Sequence, residues 1–432
     1  MTAQLRRELG LLPLAAVIFF NVSGGPYGIE DTVSSFGPGL ALLLLVITPL
    51  VWSLPVTLVM SELASAIPDE GGYVTWVRRA FGPFWSFQVG WWSWIDSFVD
   101  IAVYPALFIE YARLWLPGMT GLERWLIALA FIWGLTLLNV LGVRLTGRAA
   151  VVCAALSLVP VAVFTAAALT QARVAPWHPW LADGQGWGSV GLGLAVVMWN
   201  FSGWDTPATV LGETRSPERV FRLATFLSLA VITVAYVVPV AAALSAGSDW
   251  TGWQSGALPV IAEGIGGRAL GHLVAAGAVV STAGLFLSLL LTNSRLPYVL
   301  AREGQMVGAL AAVHHRFGTP WVAVIVSSVF YSVFAVFSFK ELIVLNMWLY
   351  SLSLLVELAA FLALRRREPG LVRPWRVPGG QAGALVAVAL PSALALLAMA
   401  TAGLLNTVVA VAVALTGPLA YVWISRASGS RR

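Results

Sequence analysis

The sequence is poor in charged residues, cysteine and lysine. Only 10% of its 432 residues are charged, with one cysteine, Cys153, and one lysine, Lys340. A single cysteine excludes a disulfide framework and a cysteine-based metal site, and within an apolar run it is typical of packing. No stretch is polar enough to form a separate soluble domain. These absences exclude the disulfide-rich secreted proteins and the soluble multidomain proteins.

The chain also offers little to an enzyme. Its four histidines, His178, His272, His314 and His315, fall in loops or at the ends of apolar runs. No nucleophile–base pair or metal-ligand cluster accompanies them. An aromatic and basic groove suited to nucleic acid is also missing. We therefore expect neither an enzyme nor a nucleic-acid-binding protein, and we expect no cofactor and no metal.

Apolar runs recur along the whole chain, which is 59% hydrophobic and has a mean hydropathy of +0.85. A crossing needs roughly 20 mostly apolar residues, and on that basis the sequence predicts an all-α membrane protein with about twelve transmembrane helices. The whole chain, 1–432, forms a single polytopic domain. The predicted crossings are 11–36, 39–66, 84–114, 122–141, 148–170, 188–211, 221–246, 268–297, 320–337, 342–364, 382–402 and 404–424.

The basic residues indicate the orientation of the chain. With the N-terminus inside, 20 of the 25 basic residues fall in cytoplasmic segments. The positive-inside rule then places both termini in the cytoplasm, and we expect a multi-pass protein of the plasma membrane. The net charge of +5 therefore reflects topology and contact with membrane lipids.

A polar, glycine-rich segment, 21–31, interrupts the first crossing. The apolar run 11–20 is too short to span a bilayer, so the crossing continues through Ser-Gly-Gly-Pro at 23–26. Glycine pairs and proline destabilise a helix, and broken backbone at membrane depth occurs where it lines a cavity or is buried in protein. Because Glu30 and Asp31 follow directly, we interpret the break as a transporter's binding site rather than a packing hinge.

The sixth crossing repeats this pattern. Residues 199–203 read Trp-Asn-Phe-Ser-Gly and residues 20–24 read Phe-Asn-Val-Ser-Gly, each with a carboxylate downstream. The two breaks lie five crossings apart, and an odd number of helices in a repeat gives the two copies opposite orientations. We predict an inverted repeat with halves at 11–171 and 188–364, followed by two extra helices at 382–424.

The third crossing carries carboxylates. Asp96, Asp100 and Tyr104 are spaced by four residues and so share one helical face. An acidic side chain at the bilayer centre costs roughly 2.5–3.5 kcal/mol on insertion scales. These residues are therefore expected to face a wet or polar interior.

Taken together, these features resemble the amino acid–polyamine–organocation superfamily of transporters. The shared motifs are the break at 23–25, Pro68 to Gly72 with Tyr73, the turn at 302–304 and Arg-Pro-Trp-Arg-Val-Pro-Gly at 373–379. Within the superfamily the chain is most similar to the polyamine–proton symporters of plants and protozoa. The residues that carry this closer match are 23–31, 72–76, 81–85, 90–92, Asp100, Tyr104-Pro105, Trp199-Asn200 and Trp204-Asp205. The resemblance covers nearly the whole chain, but it does not specify the substrate, because related sequences carry amino acids as well.

The resemblance implies a five-plus-five inverted-repeat fold of the LeuT type with two further helices at the end. It also implies a substrate between the broken first and sixth helices and the third, eighth and tenth. Asp96 departs from the family pattern, in which a small polar residue is commoner. Some relatives use a lysine on the fifth helix for coupling, whereas the fifth crossing here is uncharged.

Two interpretations of the site follow. Backbone amides at 23–25 suit a carboxylate and carbonyls near 202–203 suit an amine, a pair that recognises an α-amino acid. Six carboxylates instead favour a substrate with several positive charges, and these carboxylates are Glu30, Asp31, Asp96, Asp100, Asp205 and Glu357. The alternative for two or three of them is a role in helix packing or in a cytoplasmic gate. Trp204 is a candidate gate or cation–π cover, and equally a packing residue. The predicted substrate-binding residues are Ser23, Gly24, Gly25, Tyr27, Glu30, Asp31, Asp96, Asp100, Tyr104, Asn200, Phe201, Ser202, Gly203, Trp204 and Asp205.

The sequence therefore predicts a secondary active transporter that imports a cationic amine, such as putrescine or spermidine, by alternating access around broken helices 1 and 6. Coupling to protons would use a carboxylate, with Asp100, Asp205 and Glu357 as candidates, and a sodium site stays open. The alternatives are an amino acid permease or exchanger and, from another class, a substrate sensor without flux.

Overall fold

A computed structural model describes residues 5–182, 197–254, 256–335 and 343–429. Within these ranges the secondary structure is helical, and they contain no β-strand. Boundaries predicted at 188, 337 and 342, and Lys340, lie outside the described residues. The helices are α1 (Leu11–Val22), α2 (Glu30–Phe36), α3 (Pro38–Thr48), α4 (Leu54–Ala66), α5 (Tyr73–Phe81), α6 (Pro83–Asp100), α7 (Val103–Ala112), α8 (Gly121–Val140), α9 (Val143–Leu169), α10 (Pro217–Ser245), α11 (Leu258–Asn293), α12 (Arg295–Arg302), α13 (Trp321–Phe334), α14 (Ile343–Arg367), α15 (Gly380–Thr401) and α16 (Leu404–Gly429), with a π-turn at Pro49–Ser53 and 3₁₀-helices at Thr206–Glu213 and Gly308–Ala311.

Nine helical spans among the described residues are long and apolar enough to cross a membrane. Two further apolar helices, α1 and α13, are shorter. The all-helical, multi-span architecture is confirmed by these elements, while the count of twelve crossings and the inverted repeat stay predictions.

The first crossing is interrupted between α1 and α2. The Ser23 N–H still donates to the Phe19 carbonyl at 2.8 Å, and the helix then ends. Gly25 and Gly28 have φ values of 99° and 92°, which side chains rarely adopt. The segment 23–29 therefore runs as irregular backbone through the interior, where the sequence predicts it.

The second break lies against the first. Residues 197–200 are helical, and a 3₁₀-helix begins at Thr206. Between them Gly203 has a φ of 94° and packs against the carbonyl group of Asn21, which occupies the space that a Cβ atom would need. The two interrupted helices thus touch through backbone.

One end of the bundle, which we call the terminal face, gathers both ends of the described chain. Leu9 pairs with Thr214, and the ring of Tyr421 lies 5.2 Å from that of Phe84. Beneath them Glu213 and Arg295 form a bidentate ion pair, with nitrogen–oxygen distances of 2.7 and 3.1 Å, and both side chains are 0% exposed. This pair joins the second break to α12.

The loop 68–72 lies at the same face, packed on the 3₁₀-helix. The Gly71 N–H donates to the Thr209 carbonyl at 3.2 Å, and the Glu70 side chain lies against Gly212. Burial and the nearby Glu213 carboxylate raise the pKa of Glu70 well above its usual range. Both make the negatively charged form of Glu70 less favourable. The loop therefore carries a titratable group into the region below the second break.

The opposite end, the distal face, is formed by α2 and the start of α11. Gly267, with a φ of 77°, bends α11 so that residues 258–266 run apart from the long span that follows. The Ser34 hydroxyl donates to the Trp253 carbonyl at 2.6 Å. These contacts cover the outer half of the first broken crossing.

The last helix is attached to α6 through a proline. Pro418 lacks an N–H group, so the Ala414 carbonyl has no partner one turn later in α16. The Trp92 indole donates to that carbonyl at 2.9 Å, and the Trp91 indole donates to the Thr416 hydroxyl at 2.9 Å. The proline thus creates an acceptor that fixes α16 against α6.

Candidate functional site

A polar cavity of about 90 Å³ lies where the two breaks meet. Its walls come from both interrupted segments and from α5, α6, α7, α10, α11 and α14. This volume is that of a few water molecules, so the cavity is narrow in this conformation. The residues that line it include Asn21, Ser23, Gly24, Tyr27, Tyr73, Ser93, Asp96, Ser97, Asp100, Tyr104, Trp199, Asn200, Ser202, Gly203, Asp205, Tyr236, Asn293, Asn346 and Tyr350.

Three carboxylates on this wall each accept a hydrogen bond from a neutral side chain. Asn346 donates to Asp96 Oδ2 at 3.1 Å, and the Trp199 indole donates to Asp100 Oδ1 at 3.2 Å. The Tyr350 hydroxyl donates to Asp205 Oδ1 at 2.7 Å. Among the described residues that line the cavity, none is basic. The arrangement is suited to binding positive charge.

Ten of the fifteen predicted substrate-binding residues line the cavity and five do not. Those on its wall are Ser23, Gly24, Tyr27, Asp96, Asp100, Tyr104, Asn200, Ser202, Gly203 and Asp205. Those away from it are Gly25, Glu30, Asp31, Phe201 and Trp204. The structure therefore brings together the two breaks and the acidic face of the third crossing, as the sequence predicts, and separates the carboxylates at the end of the first break from them.

Two backbone amides of the first break are already used within the protein. The Ser23 N–H donates to the Phe19 carbonyl at 2.8 Å, and the Gly25 N–H donates to the Ser23 hydroxyl at 3.1 Å. Of the three amides expected to bind a carboxylate, these two have acceptors in this conformation. The break is thus less well prepared for an anionic group than its sequence indicates.

The side chains of Phe201 and Trp204 point into the protein interior rather than the cavity. Both are fully buried, and the Trp204 indole donates to the Phe201 carbonyl at 2.7 Å. Phe201 packs edge-on against Tyr236 with ring centroids 5.0 Å apart. In this conformation Trp204 has the packing role rather than that of a cover over the substrate.

Glu30 links the first break to the distal face. Its carboxylate accepts from the Gly28 N–H at 2.8 Å and from the Leu258 N–H at 3.1 Å. Leu258 is the first residue of α11, where an acidic group complements exposed amides and the helix dipole. Glu30 therefore holds the outer half of the first crossing to α11.

We expect Glu30→Gln to weaken this link, because the amide group turns an N–H₂ toward a backbone donor. A buried donor left without an acceptor costs about 1–3 kcal/mol. Hydrogen exchange should accelerate at the Leu258 amide and its neighbours, with Glu218→Gln, a change at an exposed position, as the control. Unchanged exchange at Leu258 in Glu30→Gln would show that the two hydrogen bonds contribute nothing to the closed distal face.

Glu357 lies below the cavity and not on its wall. Its side chain is 1% exposed, and neither carboxylate oxygen has a hydrogen-bond partner among the described residues. It follows Tyr350 by seven residues on α14, which is two helical turns or roughly 10 Å. An ionised carboxylate is costly in such a place, and the role of Glu357 in proton coupling stays a prediction.

The resemblance implies a site beside the tenth crossing, which is α14, but sequence reasoning did not identify Asn346 and Tyr350 there. Asn346 and Tyr350 hold two of the three carboxylates, and Ser353 lies 3.5 Å from Ser93. The spacing of 346, 350, 353 and 357 places four polar residues on one face of a helix. This periodicity within an apolar run was the available signal.

Metal ligands do not gather in the described residues: no group of three histidine, cysteine, aspartate or glutamate side chains could hold an ion there. The lining offers carboxylates, amides, hydroxyls and aromatic rings. Such groups bind and orient a cation through hydrogen bonds and charge, without forming covalent bonds to it.

Comparison with known proteins is consistent with this site. The family model described as "Amino acid permease" matches residues 9–426. Polyamine transporter PUT1 of Oryza sativa subsp. japonica is 34% identical over 405 residues, covering 93% of this chain and 76% of PUT1. Polyamine transporter RMV1 of Arabidopsis thaliana is 32% identical over 415 residues, covering 95% of this chain and 84% of RMV1. Branched-chain amino acid permease BcaP of Bacillus subtilis (strain 168) is 24% identical over 400 residues, covering 87% of this chain and 84% of BcaP.

Proposed function

Because the chain belongs to the amino acid permease family and is a membrane transporter rather than an enzyme, we propose that it imports a cationic amine, of which putrescine and spermidine are examples. The observation that carries this proposal is the set of carboxylates Asp96, Asp100 and Asp205 on one cavity wall that has no basic residue among its described members. A substrate with several positive charges complements such a wall.

Substrate selection by this wall favours an amine over an α-amino acid. The carboxylate group of an amino acid would be repelled by three acidic side chains, and two amides of the first break are already engaged. We propose that Asp205 and the irregular backbone at 202–203 bind one ammonium group. Ser23, Gly24, Tyr27 and Tyr104 would then shape the cavity around the carbon chain.

We further propose alternating access around the two breaks. They touch at Gly203 and Asn21 and separate a terminal face from a distal face, as expected of transporters built from inverted repeats. The loop 68–72 with Glu213–Arg295 would form the inner gate, and Glu30 with α11 the outer gate. Arginine-rich segments lie near the terminal face, which supports a cytoplasmic position for both termini. We propose the plasma membrane as the location.

Coupling to protons is proposed to use Glu357, with Asp205 and Asp100 as the neighbouring candidates. Glu357 is buried, and its carboxylate has no hydrogen-bond partner among the described residues. Seven positions earlier on α14, the Tyr350 hydroxyl donates to Asp205. A proton held on Glu357 would lower the negative charge near the substrate site when no amine is bound. Opening to either side would let that proton leave.

The test of the substrate is uptake into proteoliposomes of putrescine, spermidine, arginine and alanine, with and without an inward proton gradient. We expect saturable uptake of the two polyamines and little uptake of alanine. Uptake of alanine without uptake of either polyamine would reject the amine proposal and favour an amino acid permease or exchanger. Binding of an amine without any flux would favour a sensor.

For coupling, we expect Glu357→Gln to retain exchange of labelled for unlabelled amine but to lose accumulation driven by pH. A gradient of one pH unit supplies about 1.4 kcal/mol per proton, equivalent to about tenfold accumulation. The exposed Glu218 provides a control as Glu218→Gln, and Asp205→Asn and Asp100→Asn test the neighbours. If all three site variants still accumulate amine tenfold, none of these carboxylates carries the proton, and a sodium gradient should be tried.

A further inference from the structure

We infer that Asp96, held by Asn346, is a second ammonium site that makes this transporter select diamines over monoamines of equal chain length. The inference rests on the proposed transport of amines and adds to it a specificity-determining residue. Asp96 would bind the distal ammonium group of the substrate, while Asp205 binds the near one.

Asp96 lines the cavity and carries one buried acceptor that has no partner among the described residues. Its side chain is 8% exposed and lines the cavity wall. Oδ2 accepts from Asn346 at 3.1 Å, whereas the buried Oδ1 has no hydrogen-bond partner among the described residues. Buried carboxylate oxygens are normally satisfied, so this atom points to a donor that arrives with the ligand. An ammonium group supplies such a donor and also the opposite charge.

The positions of their partners on α14 give the spacing that we expect for the two carboxylates. Asn346 holds Asp96 and Tyr350 holds Asp205, and these two residues are four positions apart. Four residues of α-helix rise roughly 6 Å. With carbon–carbon bonds of about 1.5 Å, two ammonium groups at that separation are joined by about four methylene groups. The geometry therefore fits a short α,ω-diamine.

Asn346 acts on specificity through Asp96. Its amide fixes one carboxylate oxygen, which leaves the other as the acceptor for a ligand and restricts rotation of the side chain. Asp100, four residues later in the sequence, is engaged by the Trp199 indole instead. Asn346 is thus a positioning residue. Its removal should weaken the dependence of affinity on the chain length of the diamine, while the charge of Asp96 remains.

The experiment compares binding and uptake of putrescine with those of n-butylamine, which has the same carbon chain and one ammonium group. In wild-type protein we expect putrescine to bind at least about tenfold more tightly, as for a desolvated charge pair. In Asp96→Asn that preference should fall to about twofold, with n-butylamine affinity unchanged within about twofold. Asp249→Asn, at an exposed turn, is the matched control and should keep the full preference.

Diamines with three to six carbons provide a measurement that needs no variant. Wild-type affinity should be highest near four carbons, and Asn346→Ala should flatten this dependence. If Asp96→Asn weakens both amines equally, or if neither length nor the second charge matters in wild-type protein, the second site is wrong although amine transport stands. If wild-type protein takes up no amine, the proposed function fails and this inference fails with it.

Discussion

Replacement of Gly24 by leucine is expected to abolish transport while leaving the protein inserted in the membrane. Gly24 lines the cavity, and its carbonyl accepts from the Ser281 hydroxyl at 2.6 Å. A Cβ atom at this position would overlap the side chains of Ser281 and Leu285 on α11. Overpacking of this kind costs about 1–3 kcal/mol, and the leucine would also fill the space where the backbone meets the substrate. Substrate affinity should fall by about 100-fold.

Gly134→Leu is the matched control, because Gly134 lies within α8 and has open space where a Cβ atom would be placed. Both variants should be purified in detergent and compared by size-exclusion chromatography, thermal unfolding and binding of labelled substrate. Substrate binding at the wild-type level in a monodisperse Gly24→Leu protein would contradict the assignment of the first break to the substrate site.

A second large effect is expected at the buried ion pair. Arg295→Met leaves the Glu213 carboxylate fully buried without its bidentate partner, and breaking a buried pair in this way costs about 3–5 kcal/mol. Arg295 also donates to the Leu291 carbonyl at 2.8 Å, and that contact is lost as well. The variant should unfold at much lower temperature or fail to accumulate in the membrane.

The double variant Glu213→Leu with Arg295→Met distinguishes the effect of an unpaired buried charge from the loss of the side chains themselves. Replacing both members of a buried pair by apolar groups is often neutral or stabilising, so the double variant should recover most of the lost stability. Arg302→Met, at the exposed end of the same helix, serves as the control. If the double variant is as unstable as Arg295→Met, the pair's hydrogen bonds to α11 rather than its charge balance determine stability.

The breaks and most of the cavity wall follow from local sequence. Paired glycines with proline at 24–26 interrupt a helix whatever surrounds them, and a spacing of four places Asp96 and Asp100 on one face. Hydropathy likewise locates the helices, because a bilayer demands long apolar runs. These rules act within one segment, which explains why a single sequence is enough to apply them.

The pairing between segments does not follow from such rules. Glu30 and Asp31 are adjacent acids in the sequence, yet only tertiary packing brings the Leu258 amide to Glu30 and makes it a cap rather than a cavity residue. The partners of Asp96 and Asp205 come from α14, about 150–250 positions away in the chain. The sequence likewise does not decide whether Trp204 is buried, because an aromatic residue beside a break can either close over the substrate or pack in the protein interior.

The Glu213–Arg295 pair also constrains how the chain is made. The two residues are 82 positions apart, so at a synthesis rate of about 5–20 residues per second Glu213 leaves the ribosome roughly 4–16 s before its partner. During that interval a carboxylate destined for the dry interior has no counter-charge. The segment that carries Glu213 then remains in contact with water or with the insertion machinery. We therefore expect the second break to pack into its final place only after α12 has been translated.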